Sequence, residues 1–248
     1  MKKSPYDRER FFEKYSQMDR SRLGLAGAGE WGVRWSPCCR TSPGSGCWIW
    51  LRLRLALHLC GGTRRGGCHR RGPVGENAGR GPGKDHGSAG DLYPGGYAET
   101  PFPPESFDVV LSSLAIHYLP SFTDFLERVR QCLSPAATLS SLWSTPFHCC
   151  RSPGVVLRPG RHPLHFPVDR YFEEGRRTAR FLGEDVTKYH RTLTTYLDGL
   201  ARHGFRLERV VEPQPTPEMV RDIPGMADEL RRPMMLIVRA ERDEDQEL

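Results

Sequence analysis

The chain has 248 residues, 38% of them hydrophobic, and a net charge of +6. That length suits one domain with a sizeable core or two small ones, yet the apolar share is below the ~45–50% of a well-packed enzyme, and the shortfall is local. A basic balance points to nucleic acid or acidic ligands, while no run nears the ~18 apolar residues of a membrane span.

The N-terminal stretch MKKSPYDRERFFEKY has no apolar core of the signal-peptide kind. A cytoplasmic location with the eight cysteines reduced is therefore expected. Within residues 1–35, Phe11, Phe12, Tyr15 and Met18 share one face of an expected helix. Residues 36–100 then lose all period. They hold 15 of the 26 glycines, and nine Lys/Arg against four Asp/Glu. Such a segment buries too little apolar surface to offset its backbone entropy, so it is expected to be disordered. One exception is Leu51–Leu59, which alternates well enough to form a strand.

Regular sequence resumes near Thr100. A Pro-rich turn leads into an expected strand, Phe107–Leu111. Ser121 starts a helix, with Asp124 three residues on as its capping-box partner. Phe122, Phe125, Leu126, Val129 and Leu133 give that helix one apolar face. Residues 136–163 are aperiodic again. Thr187–Arg202 reads as a helix with Leu193, Tyr196, Leu197 and Leu200 on one side, and Gly204 as its stop. Phe205–Val211 and Pro233–Ala240 read as strands joined by a Pro-containing connector. The tail ERDEDQEL at 241–248 is expected to fray.

The regular segments, taken in order, resemble one branch of the type 11 group of class I S-adenosylmethionine-dependent methyltransferases. FFEKYSQMDRSRLGLAGAGEW is similar to its N-terminal helix and loop, and FPPESFDVVLSSLAIHYL to its fourth strand and the loop after it. FPVDRYFEEGRR, KYHRTLTTYLDGLARHGF and IPGMADELRRPMMLIVRAE resemble its C-terminal part. The resemblance implies an α/β fold: a Rossmann-like sheet with flanking helices, its N-terminal part disrupted. Residues 1–35 would form an N-terminal helix and cap, and 36–240 the methyltransferase domain. The implied activity is methyl transfer from S-adenosyl-L-methionine to a small-molecule acceptor.

By the same resemblance, Ser112, Ser113, Leu114 and His117 line the methionine end of the cofactor site. Tyr15, Met18 and Glu30, with His190 and Arg191, close over the pocket. No catalytic residue and no metal is implied. Plainer readings stand beside these: a polar strand end for Ser112–Ser113, a half-buried turn residue for His117, core residues for Tyr15 and Met18, and a solvated helix face for His190–Arg191.

The family's glycine loop after the first strand, and the acid that holds the cofactor ribose, have no counterpart here. With synonymous codons assigned, the aperiodic patches read in other frames as family text: VLDL followed by CGFG across residues 36–55, and a strand across Ala136–Phe147. Trp48, Trp50 and Trp143, which have one codon each, fit that reading. The frame moves as it would through successive single-base deletions. Weak cofactor binding by this chain is therefore expected.

Two other readings come from the aperiodic patches. GGTRRGG and CHRRG look like Arg/Gly-rich nucleic-acid-binding text, although aromatics for base stacking are sparse there. Cys38, Cys39, Cys47, Cys60 and Cys68 lack the paired spacing of a zinc site. The nucleic-acid reading, and a non-catalytic remnant of the enzyme, are the alternatives carried forward.

Overall fold

The computed structural model describes residues 14, 47–51, 68–71, 102–149, 156–157 and 163–244. Its centre is a six-stranded sheet in the order β2-β1-β3-β4-β10-β9. These strands are β1 (Cys47–Leu51), β2 (Cys68–Arg71), β3 (Phe107–Ser113), β4 (Leu133–Ser144), β9 (Phe205–Val211) and β10 (Met235–Arg242). Four strands, β2, β1, β3 and β4, run parallel. β10 pairs antiparallel with both β4 and β9. β1 and β2 lie inside the stretch expected to be disordered and correct that expectation at 47–51 and 68–71; of the alternating run 51–59 only Leu51 belongs to β1, and 52–59 lie outside the described residues.

β3 is buried along its length except at Asp108. A parallel strand with both faces covered reads as a continuous apolar run, and Val109–Leu111 does so after the exposed Asp108. The chain then turns at Leu114, whose φ of 51° is left-handed, and enters a 3-10 turn, Ile116–Tyr118. α1 (Thr123–Cys132) follows. Half of its expected capping box is formed: the Asp124 amide donates to Ser121 Oγ at 3.1 Å, but the Asp124 carboxylate accepts from that hydroxyl at 2.6 Å rather than from the Ser121 amide. Phe125, Leu126, Val129 and Cys132 are buried on its inner face.

Residues 136–144, aperiodic in sequence, lie within β4. Thr138–Leu142 are paired on both sides, to β3 and to β10, and Trp143 and Ser144 to β10 alone. Strand formation here follows from neighbours rather than from alternation. Small Ser and Ala side chains fit the crowded interior, and Trp143, fully buried, fills the remaining space by stacking on Tyr196 at 4.8 Å. Phe122 packs edge-on against both rings.

α2 (Pro146–Cys149) and the short β5 (Val156–Leu157) and β6 (Pro163–His165) come next. The segment 175–190 corrects the sequence reading. Instead of a helix beginning at Thr187, β7 (Gly175–Phe181) and β8 (Glu184–His190) form an antiparallel hairpin. The tip residues Leu182 and Gly183 both have positive φ, 54° and 85°, as a primed two-residue turn needs to follow strand twist. Val186, Thr187 and Tyr189 also favour extended backbone. α3 (Leu193–Arg202) starts only at Thr192, whose hydroxyl accepts from the Thr195 amide at 3.1 Å. Gly204, with φ 72°, ends the chain's left-handed turn after α3 as expected.

α4 (Pro217–Asp222) and a 3-10 turn, Met226–Arg231, occupy the connector. β10 continues two residues past the expected strand, so Glu241 and Arg242 belong to the sheet rather than to a frayed tail. Glu241 pairs with Arg206 at 2.5 Å, and Arg242 reaches the Leu133 carbonyl and the Glu105 carboxylate. Among the described residues, no helix is long and apolar enough to cross a membrane.

Candidate cofactor site

The sheet topology marks a place where a ligand crevice is expected before any residue is considered. From β1 the chain moves to β2 on one side; from β3 it moves to β4 on the other. The order therefore reverses between β1 and β3. In open α/β sheets, ligands bind outside the carboxyl ends of the strands at such a switch point. Ser112 and Ser113 stand at that end of β3, in register with Trp50 and Leu51 of β1.

Ser112 is fully buried, and its hydroxyl has no hydrogen-bond partner among the described residues. An unmet buried hydroxyl costs about 1–3 kcal/mol. Such groups persist in native proteins where a ligand or water completes them. Ser113 is 7% exposed. The Leu114 amide donates to the Leu142 carbonyl at 2.7 Å, fixing the turn to β4. That left-handed leucine stores roughly 1–2 kcal/mol of strain. His117 is buried rather than half-buried, its ring 4.3 Å from that of Tyr118. Ser112, Ser113 and His117 are thus buried around the end of β3, while Leu114 between them is partly exposed.

The β7–β8 hairpin leans on this loop. Val186 is buried, with Tyr118, Phe181 and Leu182 packed against it, and Lys188 lies 5.9 Å over the Tyr118 ring. At the hairpin tip, Lys14 donates to the Leu182 carbonyl at 3.2 Å. Tyr15, Met18 and Glu30 lie outside the described residues.

His190 ends β8 and Arg191 follows it, and both are buried, so they are not a solvated helix face. His190 Nε2 meets the Tyr171 carbonyl at 2.7 Å. Burial holds its imidazole below the ordinary range, against the pull of that hydrogen bond. Arg191 turns away from solvent into carbonyl oxygens of the loop after β3. The two neighbours therefore serve different partners.

A polar network at the head of α3 was not expected from the sequence. Glu174 accepts from the Thr192 amide at 2.6 Å and from the Thr195 hydroxyl at 2.5 Å. Burial alone would raise its pKa, but these hydrogen bonds outweigh burial and hold it below the usual carboxylate value. Tyr171 Oη accepts from the Leu193 amide at 2.8 Å, and its ring stacks on Phe147 at 5.7 Å. The signal was present as YFEE and YHRT, but nothing local says that these segments meet. Among the described residues, no cluster of His, Cys, Asp or Glu could hold a metal ion.

A family model described as a methyltransferase domain matches residues 80–140. A Listeria monocytogenes structure assigned as an S-adenosylmethionine-dependent methyltransferase is 31% identical, with a TM-score of 0.71, over 84% of this chain and 95% of that one. An S-adenosylmethionine-dependent methyltransferase from Mesorhizobium loti is 28% identical, with a TM-score of 0.72, over 88% and 100%. An uncharacterized protein of Haemophilus influenzae is 30% identical over 148 residues, 57% of this chain; the chain spans 56% of that curated relative's length. The chain belongs to the S-adenosylmethionine-dependent methyltransferases.

Proposed function

We propose that this chain transfers the methyl group of S-adenosylmethionine to a small-molecule acceptor, using the crevice between the carboxyl ends of β1 and β3. The observation that carries the reading is Ser112: a buried hydroxyl without a protein partner, at the strand end where the sheet topology calls for a ligand. Family membership supports the choice of cofactor. When bound, S-adenosylmethionine supplies an electrophilic methyl group, and the protein adds orientation and exclusion of water. Ser112, Ser113 and the Leu114 turn would hold the methionine end, with His117 backing them. We assign no general base; one is needed only for an acceptor that arrives protonated.

The residues present fit the cofactor at one end only. β1 is followed by Arg52, Leu53, Arg54 and Leu55, and the first glycines come at Gly61 and Gly62. A close backbone approach to the ligand needs glycine in that turn. β2 ends on Arg70 and Arg71 rather than on an acid suited to ribose hydroxyls. The reading is therefore a methyltransferase with a weakened hold on the nucleoside half of its cofactor. This agrees with frame-shifted coding of residues 36–100.

Isothermal calorimetry with S-adenosylhomocysteine tests it. Binding weaker than micromolar, competed by sinefungin, is the expected result. Micromolar affinity would remove the weakened-site reading. No binding at millimolar ligand would leave a non-catalytic remnant of the enzyme.

A further inference from the structure

Arg191 is a buried cation, 6% exposed, whose guanidinium meets carbonyl oxygens and, among the described residues, no carboxylate. Nη2 donates to the Leu119 carbonyl at 2.5 Å and to the Pro120 carbonyl at 2.9 Å, while Nη1 lies 3.5 Å from the Ile116 carbonyl. The Phe122 and Tyr189 rings flank it at 5.8 and 5.9 Å. Burying a charge in this way is unfavourable unless its donors are met. The fixed fork of a guanidinium can meet several acceptors at once, which a lysine ammonium does less well.

The three carbonyls are not a random set. They are the first carbonyl of the 3-10 turn Ile116–Tyr118 and those of the two residues that follow the turn, where backbone acceptors lack helical partners. Only the Ile116 carbonyl has a turn bond of its own, from the Leu119 amide at 3.0 Å. Arg191 thus ties the loop that leaves β3 to the junction between β8 and α3. That loop carries the strained Leu114 turn and His117, both at the crevice. A residue that merely closed over a pocket would aim its donors at the ligand; this one spends them on the loop.

We infer that Arg191 is a positioning residue: it holds the segment Leu114–Pro120 in the shape that the methionine end of the cofactor meets. The consequence for binding rests on the cofactor reading above; the clamp itself does not.

The test uses the full chain with R191Q and R191K. It compares hydrogen exchange of the 114–119 amides with that of β10, alongside S-adenosylhomocysteine titration. In R191Q, loop amides should exchange at least ~10-fold faster relative to β10, the effect of losing charge-assisted hydrogen bonds. Ligand affinity should fall by a similar factor. R191K should recover part of both, and it carries the same comparison should R191Q fail to fold. Equal acceleration of loop and β10 amides would overturn the inference, because Arg191 would then support the whole fold. Unchanged affinity beside a loosened loop would overturn it too. If the unaltered chain binds no S-adenosylhomocysteine, the cofactor reading fails. The exchange comparison then decides alone: unequal acceleration upholds the clamp and equal acceleration removes it.

Discussion

The two sides of β3 are built differently. Toward β4, β10 and β9, the sheet is backed by a continuous core that includes Val110, Leu139, Trp143, Leu236, Val238 and Ala240. The sequence there is ordinary protein apart from the Ser/Ala-rich stretch of β4. Toward β1 and β2, the sheet is two short parallel strands drawn from Gly- and Arg-rich text. The first side needs particular side chains, because its stability comes from packing. The second needs only backbone, because any non-proline residue can pair in a ladder. A sheet can therefore keep its topology where it has lost the side chains of its chemistry. The switch point stands between β1 and β3, although the sequence directly after β1, Arg52 to Leu55, holds no glycine.

Four experiments bear on that contrast. The largest effect is expected on the packed side. Trp143→Ala removes a fully buried ring stacked on Tyr196 and should cost about 3–5 kcal/mol, read as a lowered urea midpoint. A loss under 1 kcal/mol would mean that the core is looser than its burial indicates. On the other side, a Gly-X-Gly-X-X-Gly turn grafted directly after Leu51 should raise S-adenosylhomocysteine affinity at least ~10-fold, about 1.4 kcal/mol. No change would show that β1 does not deliver its turn to the crevice.

Smaller effects concern the junction before α3. Thr192→Ala deletes the N-cap and should destabilise by about 1 kcal/mol, as measured by thermal unfolding. The smallest effect is on pH. Burial lowers the folded-state pKa of His190 below its ordinary 6.5. The unfolded chain then takes up the proton first. The stability contributed by neutral His190 is present above pH 6.5 and is lost as pH falls below that value through the folded pKa. Glu174, held below its ordinary 4.5, contributes stability that is present above pH 4.5 and is lost only as pH falls below it, outside this window. In His190→Gln, urea midpoints between pH 7 and 5 should vary less steeply than in the unaltered chain; identical slopes would count against a neutral His190.

Local signals made much of the C-terminal side legible. Ser121 and Asp124 announced α1 through a cap that needs four residues and no tertiary contact. Phe107–Leu111 and Phe205–Val211 showed as apolar or β-branched runs, and Gly204 marked a stop. The hairpin was missed because its evidence is pairwise: Arg176 with Tyr189 and Ala179 with Val186 are adjacent only in register. β4 was missed for the opposite reason, since Ser140 and Ser141 look like loop until two neighbouring strands enclose them. At the candidate site, the serines, Leu114 and His117 followed from a contiguous motif. The orientation of Arg191 did not, because its partners Leu119 and Pro120 lie some 70 residues away.

β10 has a consequence for synthesis. It occupies an interior place in the sheet, between β4 and β9, and among the described residues it is the last strand in chain order. On the ribosome, β4 would present an open edge, with Leu139 and Trp143 uncovered, until Arg242 clears the exit tunnel. At ~5–20 residues per second, the roughly one hundred residues from Ser144 to Arg242 leave that edge exposed for about 5–20 s, a window in which a chaperone that recognises unpaired strands would find its substrate.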